Sequence, residues 1–115
     1  MEYKSSNQRI KIFKNIARAL CNNPEIAIEY DENIEGKGLV TKDGKMIKLK
    51  PSPHGWPICL FVEISTLLHE ICHVNQEHYK AEKITSEMEL EAEEFVYEYY
   101  PKFRKKRFRE KFGIK

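Results

Sequence analysis

His69, Glu70 and His73 fall in the run His69-Glu70-Ile71-Cys72-His73, and their types and spacing define a chemistry. Positions i and i+4 of a helix lie one turn apart on the same face, so two imidazoles there can converge on one metal ion. Glu70, next to the first of them, is placed to take a proton from a water that a bound zinc ion has made acidic. The plainer alternative makes both histidines ordinary polar positions on a helix face. The stripe leading into them, Val62 and Thr66, is not otherwise polar. Two buried histidines without partners would be costly, and a metal removes that cost.

A catalytic zinc usually takes three protein ligands and leaves a position for water. One extended pattern places a third histidine six residues after the second, following a glycine. Here Tyr79 stands at that position, Gln76 replaces the glycine and His78 is one residue out of register, which disfavours the metzincin arrangement. A glutamate from a following helix is the other common solution, and the stretch Ser86–Phe95 offers several. Ser86-x-x-Glu89 also reads as a capping box, in which Glu89 serves the helix start instead.

His-Glu-x-x-His followed by Glu89-x-x-Ala92-x-x-Phe95 resembles the ImmA/IrrE group of gluzincin metallopeptidases, over roughly residues 58–101. The spacing of Glu89 and Glu93 is similar to thermolysin's glutamate followed four residues on by an acid. The resemblance implies Glu89 as third ligand, Ala92 as a small residue packed on the metal helix, and Phe95 in the core. It implies for Glu93 a hydrogen bond that fixes a ligand histidine from behind. Glu91 is the alternative ligand if the register shifts. The expected activity is zinc-dependent hydrolysis of peptide bonds in a protein substrate by a zinc-activated water, with Glu70 as base. Two histidines and a carboxylate also suit iron. By size and layout the chain is similar to the minigluzincins, some of which are latent; that likeness implies a terminal segment shielding the cleft. A member of the ImmA/IrrE group would act as a regulatory peptidase on a repressor. The oxyanion-stabilising side chain is open among Tyr97, Tyr99, Tyr100, His54 and His78.

The elements that must position these residues can be read around them. Ser5, Ser6 and Asn7 are good caps for an amphipathic helix carrying Ile10, Phe13, Ile16, Ala17 and Leu20, which Asn22-Asn23-Pro24 stops. Ile26, Ile28 and Tyr30 alternate as in a strand. Leu39–Thr41 and Met46–Leu49 flank Lys42-Asp43-Gly44-Lys45, a hairpin signal. Residues 58–76 form a helix apolar on most of its circumference, with Ile64, Leu67, Ile71 and Val74 on one face, so it is expected to be central. A third helix starts near Thr85 or Ser86, and Pro101 interrupts it ahead of a basic helical tail, residues 101–115. These elements predict one α+β domain over 1–115, with about three main helices and a small, mostly antiparallel sheet, and the resemblance implies that it is zincin-like. The zincin plan implies an edge strand that binds substrate by strand addition, with Met46–Lys50 the candidate.

The 115 residues suffice for one modest core, and 41% apolar with 33% charged residues fits a globular chain. Net charge is only +2, but six acids and no bases lie in residues 87–98, against eight bases and one acid in residues 102–115. The asymmetry reads first as two solvated faces. Bases interleaved with Phe103, Phe108 and Phe112 also suit a nucleic-acid partner, the main competing reading. A zinc-stabilised scaffold without turnover is a third. Cys21, Cys59 and Cys72 form no Cys-x-x-Cys pair, which points to reduced thiols and a cytoplasmic protein. No signal peptide and no membrane-spanning stretch is expected.

Overall fold

A computed structural model describes residues 5–114. Helix α1 spans Ser6–Leu20 and is closed by a reciprocal capping box, the Gln8 amide donating to the Ser5 hydroxyl and the Ser5 amide to the Gln8 side chain. Its buried face is Ile12, Phe13, Ile16 and Ala17, with Arg9 at the same face. Asn75 closes the other end, donating to the Leu20 carbonyl at 2.9 Å and accepting from the Asn22 amide at 2.6 Å.

Three short strands follow: β1 (Ala27–Tyr30), β2 (Gly38–Val40) and β3 (Met46–Leu49). The order in the sheet is β1-β3-β2. The hairpin expected around Asp43-Gly44 forms, with Gly44 in the left-handed region at φ 71° and β2 antiparallel to β3. β1, however, runs parallel to β3. The sheet is therefore mixed, not mostly antiparallel, and β3 is its central strand. Two corrections follow: the edge strands are β1 and β2, and Met46–Leu49 has neighbours on both sides. The physical reason lies in burial, since Ile47 and Leu49 of β3 are fully enclosed while all three residues of β2 stay half-buried. On the opposite face of β3, Lys48 reaches Glu29 at 3.6 Å and Asp31 at 3.3 Å, fixing the register to β1.

Helix α2 (Ile58–Asn75) runs through the middle, between α1, the sheet and α3 (Ser86–Tyr99). Leu60, Ile64, Leu67, Leu68 and Ile71 are completely enclosed. Each such side chain contributes about 1.5–3 kcal/mol relative to exposure. Among the described residues α2 alone is long and apolar enough to cross a membrane, and here that apolar surface is packed in protein. Its Glu63 is buried as well, against the Arg9 guanidinium at 3.0 Å, the Tyr30 hydroxyl and the Ser52 amide at 2.9 Å, so α1, β1 and the connector after β3 meet on one carboxylate.

The chain ends in a 3-10 turn over Tyr100–Arg104 and a short helix α4 (Lys106–Glu110). Phe103, Phe112 and Ile114 are buried in the core, with Phe108 packed on both phenylalanines. The aromatic spacing of the tail is thus core packing. Among the described residues its bases lie on the outside except Arg109, half-buried and donating to the Phe103 and Arg104 carbonyls, and none pairs with the Glu87–Glu98 run.

Candidate metal centre

His69 and His73 leave α2 one turn apart on the side facing α3. The Nε2 of His69 lies 3.3 Å from one oxygen of Glu89, and the Nε2 of His73 lies 3.0 Å from the other. One atom from each of the three residues can be chosen so that all lie within 4.8 Å of one another. A tetrahedral ion with bonds of about 2.0–2.1 Å holds its ligands about 3.4 Å apart, so this donor set fits a divalent cation with little adjustment. Local sequence brings Glu89 there. Thr85, not Ser86, caps α3, its hydroxyl accepting from the Met88 amide at 3.2 Å, so Glu89 is freed from the capping role. Ala92, one turn on, is completely buried against α2 and allows the two helices to approach. Phe95 is half-buried against the core.

Glu70 points to the other side of the ion-binding group, toward β2, and is 6% exposed. Burial, then the Glu89 carboxylate, push its carboxyl up to about 8. A cation shared by the three ligands would offset the second cause. Strand β2 comes this close because residue 38 is glycine. A Cβ there would sit 2.7 Å from Thr66 Cγ2 and 3.3 Å from a Glu70 carboxylate oxygen.

Burial first, and then His69, lower the pKa of His73, which favours the neutral ring that a metal needs. Behind it, His73 Nδ1 meets His78 Nδ1 at 2.8 Å. Glu91 lies beside His78 and outside the ligand group, 3.6 Å from its Nε2. Glu93 lines the cleft but forms no hydrogen bond to either ligand histidine among the described residues. The contact behind His73 therefore comes from His78, which sequence spacing weighed only as an out-of-register ligand or an oxyanion donor. No periodic pattern could have found it, because it depends on the turn after α2.

The three ligands and Glu70 open onto a cleft of about 690 Å³ between β2 and α3. Of the proposed oxyanion donors, Tyr97 alone lines it, joined by Tyr79. His54 is held by the Ser52 hydroxyl at 2.8 Å, Tyr99 stacks on Phe95, Tyr100 is half-buried in the 3-10 turn away from the cleft, and His78 is enclosed behind His73. Among the described residues none after Pro101 lines the cleft, where the likeness to minigluzincins implied a shielding segment. Comparison of the chain with protein-family models, with curated proteins and with solved structures finds no match. The likeness to gluzincins rests on the motif residues alone.

Proposed function

We propose that this chain is a small zinc metallopeptidase in which His69, His73 and Glu89 hold the ion and Glu70 is the catalytic base. The observation that carries the reading is the convergence of both Nε2 atoms on the Glu89 carboxylate, from two helices, beside a buried glutamate at the floor of an open cleft. Zinc, when bound, supplies a Lewis acid that polarises a carbonyl and lowers the pKa of a water molecule. Glu70 takes the water's proton and passes it to the departing amine. Its burial raises its basicity toward neutral pH, where a base works best.

The cleft wall suits a peptide. Lys50 donates to the Lys37 carbonyl and Thr41 to that of Met46, so the hydrogen-bonded pairs of the hairpin are 37/50, 39/48 and 41/46. The amide and carbonyl of Gly38 and Val40 then face away from β3, at an open edge within the cleft. An extended substrate segment adds there as a fourth strand, beside Glu70. Tyr97 lines the cleft, and we assign its phenol the donation to the carbonyl oxygen of the scissile bond.

The test is metal analysis together with digestion of a peptide library. The parent chain should hold about one zinc and cleave peptides. Glu70→Gln should keep the zinc and lose about 10²–10⁴-fold in rate. Glu89→Ala should lose the metal. Zinc bound without any cleavage would leave a metal-stabilised scaffold, and absence of binding after zinc is added back would remove the site altogether.

A further inference from the structure

We infer that His78, flanked by Glu91, is a positioning residue that stabilises the metal-binding tautomer of His73. The inference rests on the metal reading above and extends it to two residues that reading leaves without a role.

A neutral imidazole carries one proton on one of two nitrogens, and a metal needs the bare one. His73 turns Nε2 toward Glu89 and His69, so its proton must sit on Nδ1 for Nε2 to bind. At 2.8 Å the two Nδ1 atoms of His73 and His78 share a hydrogen bond, which requires one donor and one acceptor. While no ion is bound, the Glu89 carboxylate 3.0 Å from His73 Nε2 favours the proton there; once a cation takes that position, the far side of His78 decides. The Nε2 of His78 faces the Glu91 carboxylate at 3.6 Å. This is longer than a hydrogen bond, yet an ionised carboxylate only accepts, so its field favours the proton on that nitrogen. A neutral His78 protonated on Nε2 presents a bare Nδ1. His73 then donates from Nδ1 and keeps Nε2 free for the ion.

The backbone is arranged to deliver this contact. After α2 ends at Asn75, Glu77 adopts the left-handed conformation, φ 56° and ψ 30°, and a 3-10 turn over His78–Lys80 folds the chain back under His73. A non-glycine residue adopts this conformation uncommonly. Such strain persists where the surroundings over-determine it, often at functional sites. His78 is itself buried, 6% exposed, so its ring is held and not merely adjacent.

The experiment compares zinc affinity, by competition with a chromophoric chelator, in the parent, His78→Gln and His78→Phe. Gln retains an acceptor for the His73 proton; Phe fills space and offers none. Affinity should fall about 10–100-fold in His78→Phe and be largely retained in His78→Gln. Equal affinity in parent and His78→Phe, or an equal loss in both variants, would overturn the inference. A parent that binds no zinc would instead overturn the metal reading and this inference with it. As a readout that needs no variant, the imidazole nitrogens of the zinc-loaded parent are also followed by NMR. His78 protonated on Nε2, with a bare Nδ1, is expected. His78 protonated on Nδ1 would refute the assignment.

Discussion

Glu70 and Glu89 are two carboxylates of the same type given different environments. Glu89 is half-exposed and faces two imidazoles, whereas Glu70 is buried beside a strand backbone. That contrast has a measurable consequence for pH. In the metal-free chain Glu70 titrates near 8, against about 4.3 when unfolded. Between those values the folded state binds the extra proton, so this contribution is fully present below about pH 4.5 and lost as pH rises through 8. Glu70→Gln cannot lose a proton. Urea unfolding of chelator-treated protein should therefore show the Gln variant gaining stability relative to the parent as pH goes from 5 to 8. A constant difference across that range would mean that Glu70 is not held neutral. His73 works in the opposite sense, its lowered pKa costing stability as pH falls, and it cancels in this comparison because both proteins contain it.

At the level of elements, the site depends on how closely an edge strand can approach a helix. Gly38 sets that distance, because any Cβ would meet Thr66 first and Glu70 next. Gly38→Ala is expected to destabilise by about 1–3 kcal/mol, as overpacking does, and to push β2 away from Glu70. Peptide cleavage should fall while zinc content is unchanged, since the three ligands lie on α2 and α3. Adding Thr66→Ser removes the methyl at 2.7 Å and should recover part of both stability and activity. No recovery in the double variant would show that the strand is displaced by some other contact. The hairpin itself was legible from Asp43-Gly44 flanked by apolar runs. Which of its two strands would be central was not, because that depends on β1 arriving from a distant part of the chain to pair with β3.

Across the whole molecule, the basic tail is fastened to the body by its apolar residues, and its described bases other than Arg109 lie outside. The Phe112 carbonyl accepts from Asn15 of α1, and Phe103, Phe112 and Ile114 complete the core. Phe103→Ala should cost about 3–5 kcal/mol, measurable as a lowered melting temperature. Exchanging Lys105, Lys106 and Arg107 together for Gln should leave melting and peptide cleavage near the parent's, because these exposed side chains neither pack nor reach the cleft. A large gain in cleavage on neutralising them would restore the idea of a shielding tail.

The sequence by itself determined the chemistry of α2. A helix carrying His69 and His73 four residues apart must present both rings on one face, since that follows from local geometry alone. The cap at Ser5, the turn at Gly44 and the packing face of α1 are legible for the same reason: each is decided by residues within a few positions of one another. Tertiary structure alone decided which glutamate faces the histidines, that β2 is the open edge, that the tail's phenylalanines are core and that His78 stands behind His73. Those outcomes depend on the approach of segments distant in the chain, or on a turn whose direction is set by packing. Local spacing carries no record of either.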